Sequence, residues 1–194
     1  MTRRLFIALA LPEEIRAELG RTRDQLASRR DRINWLPREQ LHLTLRFLGD
    51  VEEAEIPALD AQLEELAARH APLELKLGLP GIFGPPAAPR VLWVGLAGWL
   101  EPLERLVREL ESRLRRLGRP PAESGFKPHL TLGRVKQCRA DLAAAHLAFP
   151  PLPLALRLGH LQLIESRLRP AGAEHHVLTR HILSGNEREA STAE

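Results

Sequence analysis

The tetrapeptide His-Leu-Thr-Leu occurs twice in this chain, at residues 42–45 and 129–132, each time within an apolar run that alternates like a β-strand. Side chains alternate across a strand, so His42 and Thr44 share one face and Leu43 and Leu45 the other. His129 and Thr131, with Leu130 and Leu132 behind them, repeat the arrangement. Each strand must bury its leucines while presenting an imidazole beside a hydroxyl. One copy reads as an ordinary half-buried strand. Two copies in corresponding places of two similar halves demand a fold that gives both strands comparable settings.

The flanking segments repeat in outline. Leu5–Leu11 reads as a first strand, followed by a helix over residues 12–30 with Pro12 where a first turn tolerates it. "INWLP" and "LHLTLRFLG" read as extended. Asp50 is placed to cap a helix whose apolar face carries Ile56, Leu59, Leu63 and Leu66. "LELKLGL" alternates as a strand, "PGIFGPPAAP" reads as a loop, and "RVLWVGL" as the next strand. Leu103, Leu106, Leu110, Leu114 and Leu117 form a helical stripe over Leu100–Leu117, which Gly118 and the following prolines stop.

After the connector "GRPPAESGFKP" come the second His-Leu-Thr-Leu strand, a short helix in "RADLAAAHLA", a long strand pair over "LPLALRLGHLQLIESRL" and a closing strand, "HHVLTRHIL". The order strand, helix, His-Leu-Thr-Leu strand, helix, further strands thus occurs twice. It predicts an α+β fold of two similar lobes, each a mostly antiparallel sheet with helices on its outer face, and an active-site cleft between them. Residues 1–184 are expected to form this single bilobal domain, and 185–194 a disordered tail.

At 194 residues and 44% hydrophobic, the chain can bury a sizeable core. A single cysteine, Cys138, excludes an internal disulfide and points to a reducing compartment. No stretch approaches the roughly 20 apolar residues of a membrane span, and the N-terminus lacks a leader cleavage site, so a soluble, cytoplasmic monomer is expected. Only Lys76, Lys127 and Lys136 among the 28 basic residues are lysines. The planar guanidinium of the others suits phosphate oxygens, although many sit on helix faces such as "ERLVRELESRLRRLGR", where they read as solvated charge.

Two facing imidazoles suit the cleavage of a phosphodiester. In-line attack puts entering and leaving oxygens on opposite sides of phosphorus, so base and acid must face each other across the substrate. One strand cannot supply both, whereas two lobes meeting at a cleft can. An unperturbed pKa near 6.5 leaves both imidazole forms accessible near neutrality. The hydroxyls of Thr44 and Thr131 could donate to the non-bridging oxygens as charge gathers there. Taken alone, the residues allow either histidine to be the acid.

The paired His-x-Thr-x motifs resemble those of the two-histidine phosphoesterase superfamily. More closely, the chain resembles the RNA 2′,3′-cyclic phosphodiesterases, also called 2′-5′ RNA ligase-like proteins. The likeness extends through "RLFIALALP", "LPREQLHLTLRFLGDV", "RVLWVGL", "GFKPHLTLGRV" and "IESRLRPAGAEHH". It implies metal-independent, cofactor-free hydrolysis of a terminal 2′,3′-cyclic phosphate on RNA, tRNA fragments among the candidates, leaving a 2′-phosphate. By the same resemblance His42 is the proton donor and His129 the acceptor. Two alternatives stay open: 2′-5′ RNA ligation as the main role, with a 5′-hydroxyl replacing water, and a non-catalytic RNA- or nucleotide-binding module of the same fold. The closing segment of such proteins usually carries a tyrosine where this chain has His175, so His175 becomes a candidate substrate contact.

Further candidates follow from position. Strict alternation puts Arg46 on the face of Thr44, as a phosphate contact. Arg134 matches a basic residue of the family's second motif but falls on the opposite face from Thr131 unless a bulge near Gly133 re-aims it. Lys127 stands at the cleft mouth. Phe6, Trp35, Trp93 and Phe126 are possible platforms for a nucleobase, Phe6 and Phe126 foremost because they adjoin family-like segments. His70, His146 and His160 read as surface residues. No metal site is expected from His175, His176 and His181, since no cysteine or carboxylate completes a recognised ligand spacing.

Overall fold

Strands from both halves of the sequence join one nine-stranded sheet whose pairings are all antiparallel. The structure, a computed structural model, describes residues 1–150, 152, 154–169 and 172–186. Its strands are β1 (Thr2–Ala10), β2 (Arg32–Trp35), β3 (His42–Glu52), β4 (Leu73–Phe83), β5 (Val91–Ala97), β6 (His129–Gln137), β7 (Ala155–Leu158), β8 (His160–Arg169) and β9 (Gly172–Ile182). The helices are α1 (Glu13–Leu26), α2 (Ile56–Arg69), α3 (Glu101–Arg116) and α4 (Leu142–Leu147). Among the described residues no helix is long and apolar enough to cross a membrane.

The strand order is β7-β4-β5-β6-β3-β1-β8-β9, with β2 also paired to β6. The two lobes are therefore β3-β1-β8-β9 and β6-β5-β4-β7, joined through the single pair Leu43↔Leu130. The lobes interleave along the chain. β4 follows α2 yet pairs with β5 of the second lobe, while β8 follows the second motif yet pairs with β1 of the first. The expected strand pair over residues 152–168 is corrected accordingly: β7 pairs with β4 and β8 with β1 and β9, at opposite ends of the sheet. Only Gly159 separates them, whereas the commonest tight hairpins reverse the chain over two residues, so the chain crosses from one lobe to the other.

One face of the sheet carries the main core. Leu5, Ile7 and Leu9 of β1, Leu43 and Leu45 of β3, and Leu130 and Leu132 of β6 pack with Ile15 and Leu19 of α1, Leu59, Leu63 and Leu66 of α2, and the predicted leucine stripe of α3. Leu117 packs against this cluster from beyond the end of α3, and Gly118 takes a left-handed φ of 78° that releases the chain. Asp50 does not cap α2. It lies within β3 opposite Arg4, and the chain reaches α2 through a short 3-10 turn, Glu53–Glu55, closed by a reciprocal capping box of Glu52 and Glu55.

The expected loop over residues 80–89 is also shortened, because β4 continues through Phe83 despite Pro80. A register shift between Leu77 and Pro80 absorbs the missing N–H, and Gly81 lets the Trp93 indole lie across the strand where a Cβ would come within 2.2 Å of it. At the C-terminal end, the Gly185 N–H donates to the His70 carbonyl oxygen (3.1 Å). Residues 187–194 of the expected tail lie outside the described residues.

Candidate active site

The face opposite the main core is concave and holds a cavity of about 780 Å³ lined by His42, Thr44, His129, Thr131, Arg134 and His175. Its centre is the seam of the sheet. Because Leu43 pairs with Leu130 across antiparallel strands, His42 and His129 are diagonal neighbours, a relation that places Cα atoms about 7–8 Å apart in regular sheet. Both leucines are fully buried on the core side, so both histidines, half-buried, face the cavity.

The imidazoles are held alike. His42 Nδ1–H donates to the carbonyl oxygen of Gln40 (2.7 Å), and His129 Nδ1–H donates to that of Lys127 (2.6 Å), in each case two residues upstream. This contact fixes the tautomer and leaves Nε2 for the cavity. His42 Nε2 lies 2.9 Å from Thr44 Oγ1, whose hydroxyl donates to it when the ring is neutral. Burial pushes the proton affinity of both rings below the usual histidine value. His42 is brought down to about 4, with the neighbouring His175, His129 and Arg134 adding to the effect. For His129 burial is again the main cause, with Lys127 and Arg134 contributing.

Each histidine leans on aromatic rings. Phe6 lies 4.8 Å from His42 between ring centroids, and His175 packs edge-on to both, at 5.0 Å from Phe6 and 5.4 Å from His42. Across the seam, Phe83 stands edge-on to His129 at 4.9 Å and Trp93 lies 6.1 Å away. The Lys127 ammonium sits 4.9 Å from the Trp93 ring centroid and 5.4 Å from that of Phe83, the two rings that stand against His129.

Two bulges at the same place in the two motifs decide what comes next on the cavity face. In β3, Ala8 opposes Thr44 and Ile7 opposes Arg46, so Leu45 is an extra residue. In β6, Trp93 opposes Thr131 and Leu92 opposes Gly133, so Leu132 is the extra one. A bulge shifts the alternation by one residue, and the fifth residue after each histidine, Phe47 or Arg134, returns to the cavity. The condition set on Arg134 by its sequence position is thereby met.

The same geometry corrects Arg46. It shares the core side with Ile7, where its Nε lies 3.2 Å from Glu111 Oε1 and its Nη2–H donates to the Pro120 carbonyl oxygen (2.5 Å), so it is not a phosphate contact. Phe126 is corrected too, because it packs against the main core. Phe6 lines the cavity floor but is 1% exposed, so it braces His42 and His175 and offers no open face to a base.

A sequence profile of the 2′-5′ RNA ligase superfamily matches residues 11–169. The chain belongs to this superfamily. A relative from Thermus thermophilus, described as an RNA 2′,3′-cyclic phosphodiesterase, is 35% identical over 191 residues, 94% of this chain and 91% of its own length. One of the same description from Methanothermobacter thermautotrophicus is 31% identical over 172 residues, 87% and 92%. Among solved structures, TT0787 of T. thermophilus superposes with a TM-score of 0.82 at 32% identity, covering 95% of this chain and all of that one. E. coli LigT complexed with 3′-AMP gives 0.77 at 27% identity, covering 95% and 99%.

In this member of the superfamily, sequence reasoning missed Phe47 and Phe83. Phe47 is 59% exposed on the cavity wall, where regular alternation assigned the place to Arg46. Phe83 was hidden by the prolines around it, which marked a loop. Of the two candidate tryptophans, Trp35 lines the cavity, its ring lying where Gly133 has no side chain, while Trp93 stands behind His129.

His70 and His146, expected at the surface, are buried. His70 Nε2 lies 3.0 Å from Glu109 Oε2. His146 is fully buried, its Nε2–H shared between the carbonyl oxygens of Gly81 (3.1 Å) and Trp93 (3.0 Å). Buried backbone carbonyls need donors, and the inward imidazole on α4 supplies one to both.

Proposed function

We propose that the chain hydrolyses the 2′,3′-cyclic phosphate at the end of an RNA strand, with His129 as proton acceptor and His42 as proton donor. The observation that carries this reading is the matched pair of imidazoles. Each comes from a different lobe, each is oriented by the carbonyl two residues upstream, and each turns Nε2 to one cavity. The description shared by the T. thermophilus and M. thermautotrophicus relatives supports the substrate and the opening of its cyclic phosphate.

In this mechanism His129 Nε2 takes a proton from a water that attacks phosphorus opposite the 3′ oxygen. The P–O3′ bond breaks, His42 Nε2–H gives its proton to the departing oxygen, and the phosphate stays on the 2′ oxygen. The low proton affinity of His42 suits a strong acid, provided that it is charged when substrate is bound. The anionic phosphate supplies that condition by favouring the imidazolium. Thr44, no longer donating to Nε2 once the ring is charged, then turns its hydroxyl toward a phosphate oxygen, and Thr131 and Arg134 meet the charge from the other lobe. These groups carry the work a metal would otherwise do, so a strong chelator should leave the rate unchanged.

The test is incubation with an oligoribonucleotide ending in a 2′,3′-cyclic phosphate, with identification of the oxygen that keeps the phosphate. A 2′-phosphomonoester is expected, and His42→Ala or His129→Ala should each slow the reaction by about 10² to 10⁴. A 3′-phosphate product, or full activity in either variant, refutes the mechanism.

A further inference from the structure

The cavity extends well beyond the two imidazoles, along the first lobe toward the N-terminal end of β1. Three arginines line it: Arg4, Arg134 and Arg169. Arg169 is committed to Glu174 on the neighbouring strand, with Nε 3.2 Å from Oε2. Arg4 and Arg134 make no ion pair among the described residues, although Arg4 stands opposite Asp50 in the sheet register. Arg134 lies on the strand of His129, where the scissile phosphate would sit. Arg4 is two residues back along β1 from Phe6, or about 6.5 Å of strand. This is on the order of one nucleotide step in a single strand. Beyond Arg4 on the same face, Leu168 of β8 is 72% exposed, and it lines the cavity together with Ser166.

An unpaired cation followed by an exposed apolar side chain, continuous with the first pocket, has the chemistry of a second nucleotide subsite. The guanidinium suits a phosphodiester, and the apolar surface suits the face of a base. We infer that Arg4 and Leu168 hold the nucleotide on the 5′ side of the cyclic end, so that the site is built for an RNA strand rather than for a cyclic mononucleotide. This inference rests on the activity proposed above and adds which substrates that activity favours.

Two substrates decide the matter: a nucleoside 2′,3′-cyclic monophosphate and a dinucleotide ending in the same cyclic nucleotide. The dinucleotide should have kcat/KM at least about tenfold higher, since one charge-assisted contact carries about that factor. The advantage should shrink as salt is raised. Arg4→Gln and Leu168→Ser should each remove much of it while leaving turnover of the mononucleotide unchanged, and Arg4→Lys should retain most of it. Equal kcat/KM for the two substrates in the unaltered protein overturns the inference, as does an Arg4→Gln variant that slows both alike. In either case the proposed hydrolysis stands. Turnover of neither substrate refutes the hydrolysis itself, and the second subsite with it.

Discussion

The packing of His42 between Phe6 and His175 makes it a measurable load on the fold. Its ring holds a proton only below about pH 4, whereas in the unfolded chain it does so below about 6.5. Between these values the unfolded state binds more protons than the native one, so folding stability falls as the solution is acidified through this window. At 1.36 kcal/mol per pH unit the gap corresponds to about 3 kcal/mol. The ring is only half-buried, and screening by solvent lowers the expectation to about 1–3 kcal/mol. The contribution is fully present above pH 6.5 and gone below pH 4. Replacing His42 with glutamine removes it without introducing a titrating group. Urea unfolding of the unaltered protein and of His42→Gln at pH 7 and pH 4 gives the double difference, in which other titrating groups cancel. The variant should lose about 1–3 kcal/mol less on acidification. Equal losses would mean that the ring is freely hydrated, and the account of His42 as a desolvated acid would fail.

The two motif arginines should part company in mutagenesis. Arg134→Gln is expected to lower kcat/KM by about tenfold or more through loss of a charge-assisted phosphate contact, while Arg46→Gln should leave kcat/KM unchanged and cost at most about 1 kcal/mol in urea unfolding through its Glu111 pair. The reverse pattern would mean that Arg46, and not Arg134, faces the phosphate. The pH profiles also separate. Both histidines have lowered proton affinity in the free site, so the limbs of kcat/KM should lie below pH 6.5. The anionic substrate raises both in the complex, moving the kcat profile to higher pH. Stopped assays from about pH 4 to 9 decide this, and profiles that coincide would count against an anion seated between the rings.

Much of the site was legible because a strand's two-residue period is a property of local covalent geometry. His42, Thr44, His129 and Thr131 had to share faces opposite their leucines wherever the strands lay, and the α3 stripe had to find a core. The α+β class followed from the same patterns. What the sequence left undetermined depends on partner strands. The bulges at Leu45 and Leu132 exist only because Ala8 and Trp93 pair with the threonines in a register that leaves one residue over, and each reverses the side-chain directions immediately beyond it. Arg46 thereby turns to the helices, and Phe47 and Arg134 turn to the cavity.

The exchange of β4 and β8 between lobes is likewise a matter of pairing with strands distant in sequence, and Gly159 alone does not announce it. His146 reads as polar on a short helix until the carbonyls of Gly81 and Trp93 that it meets are in view. Local periodicity, then, determined which residues could act together, because it is written in consecutive side chains. Register and burial decided which of them meet, because those are set by atoms far away along the chain.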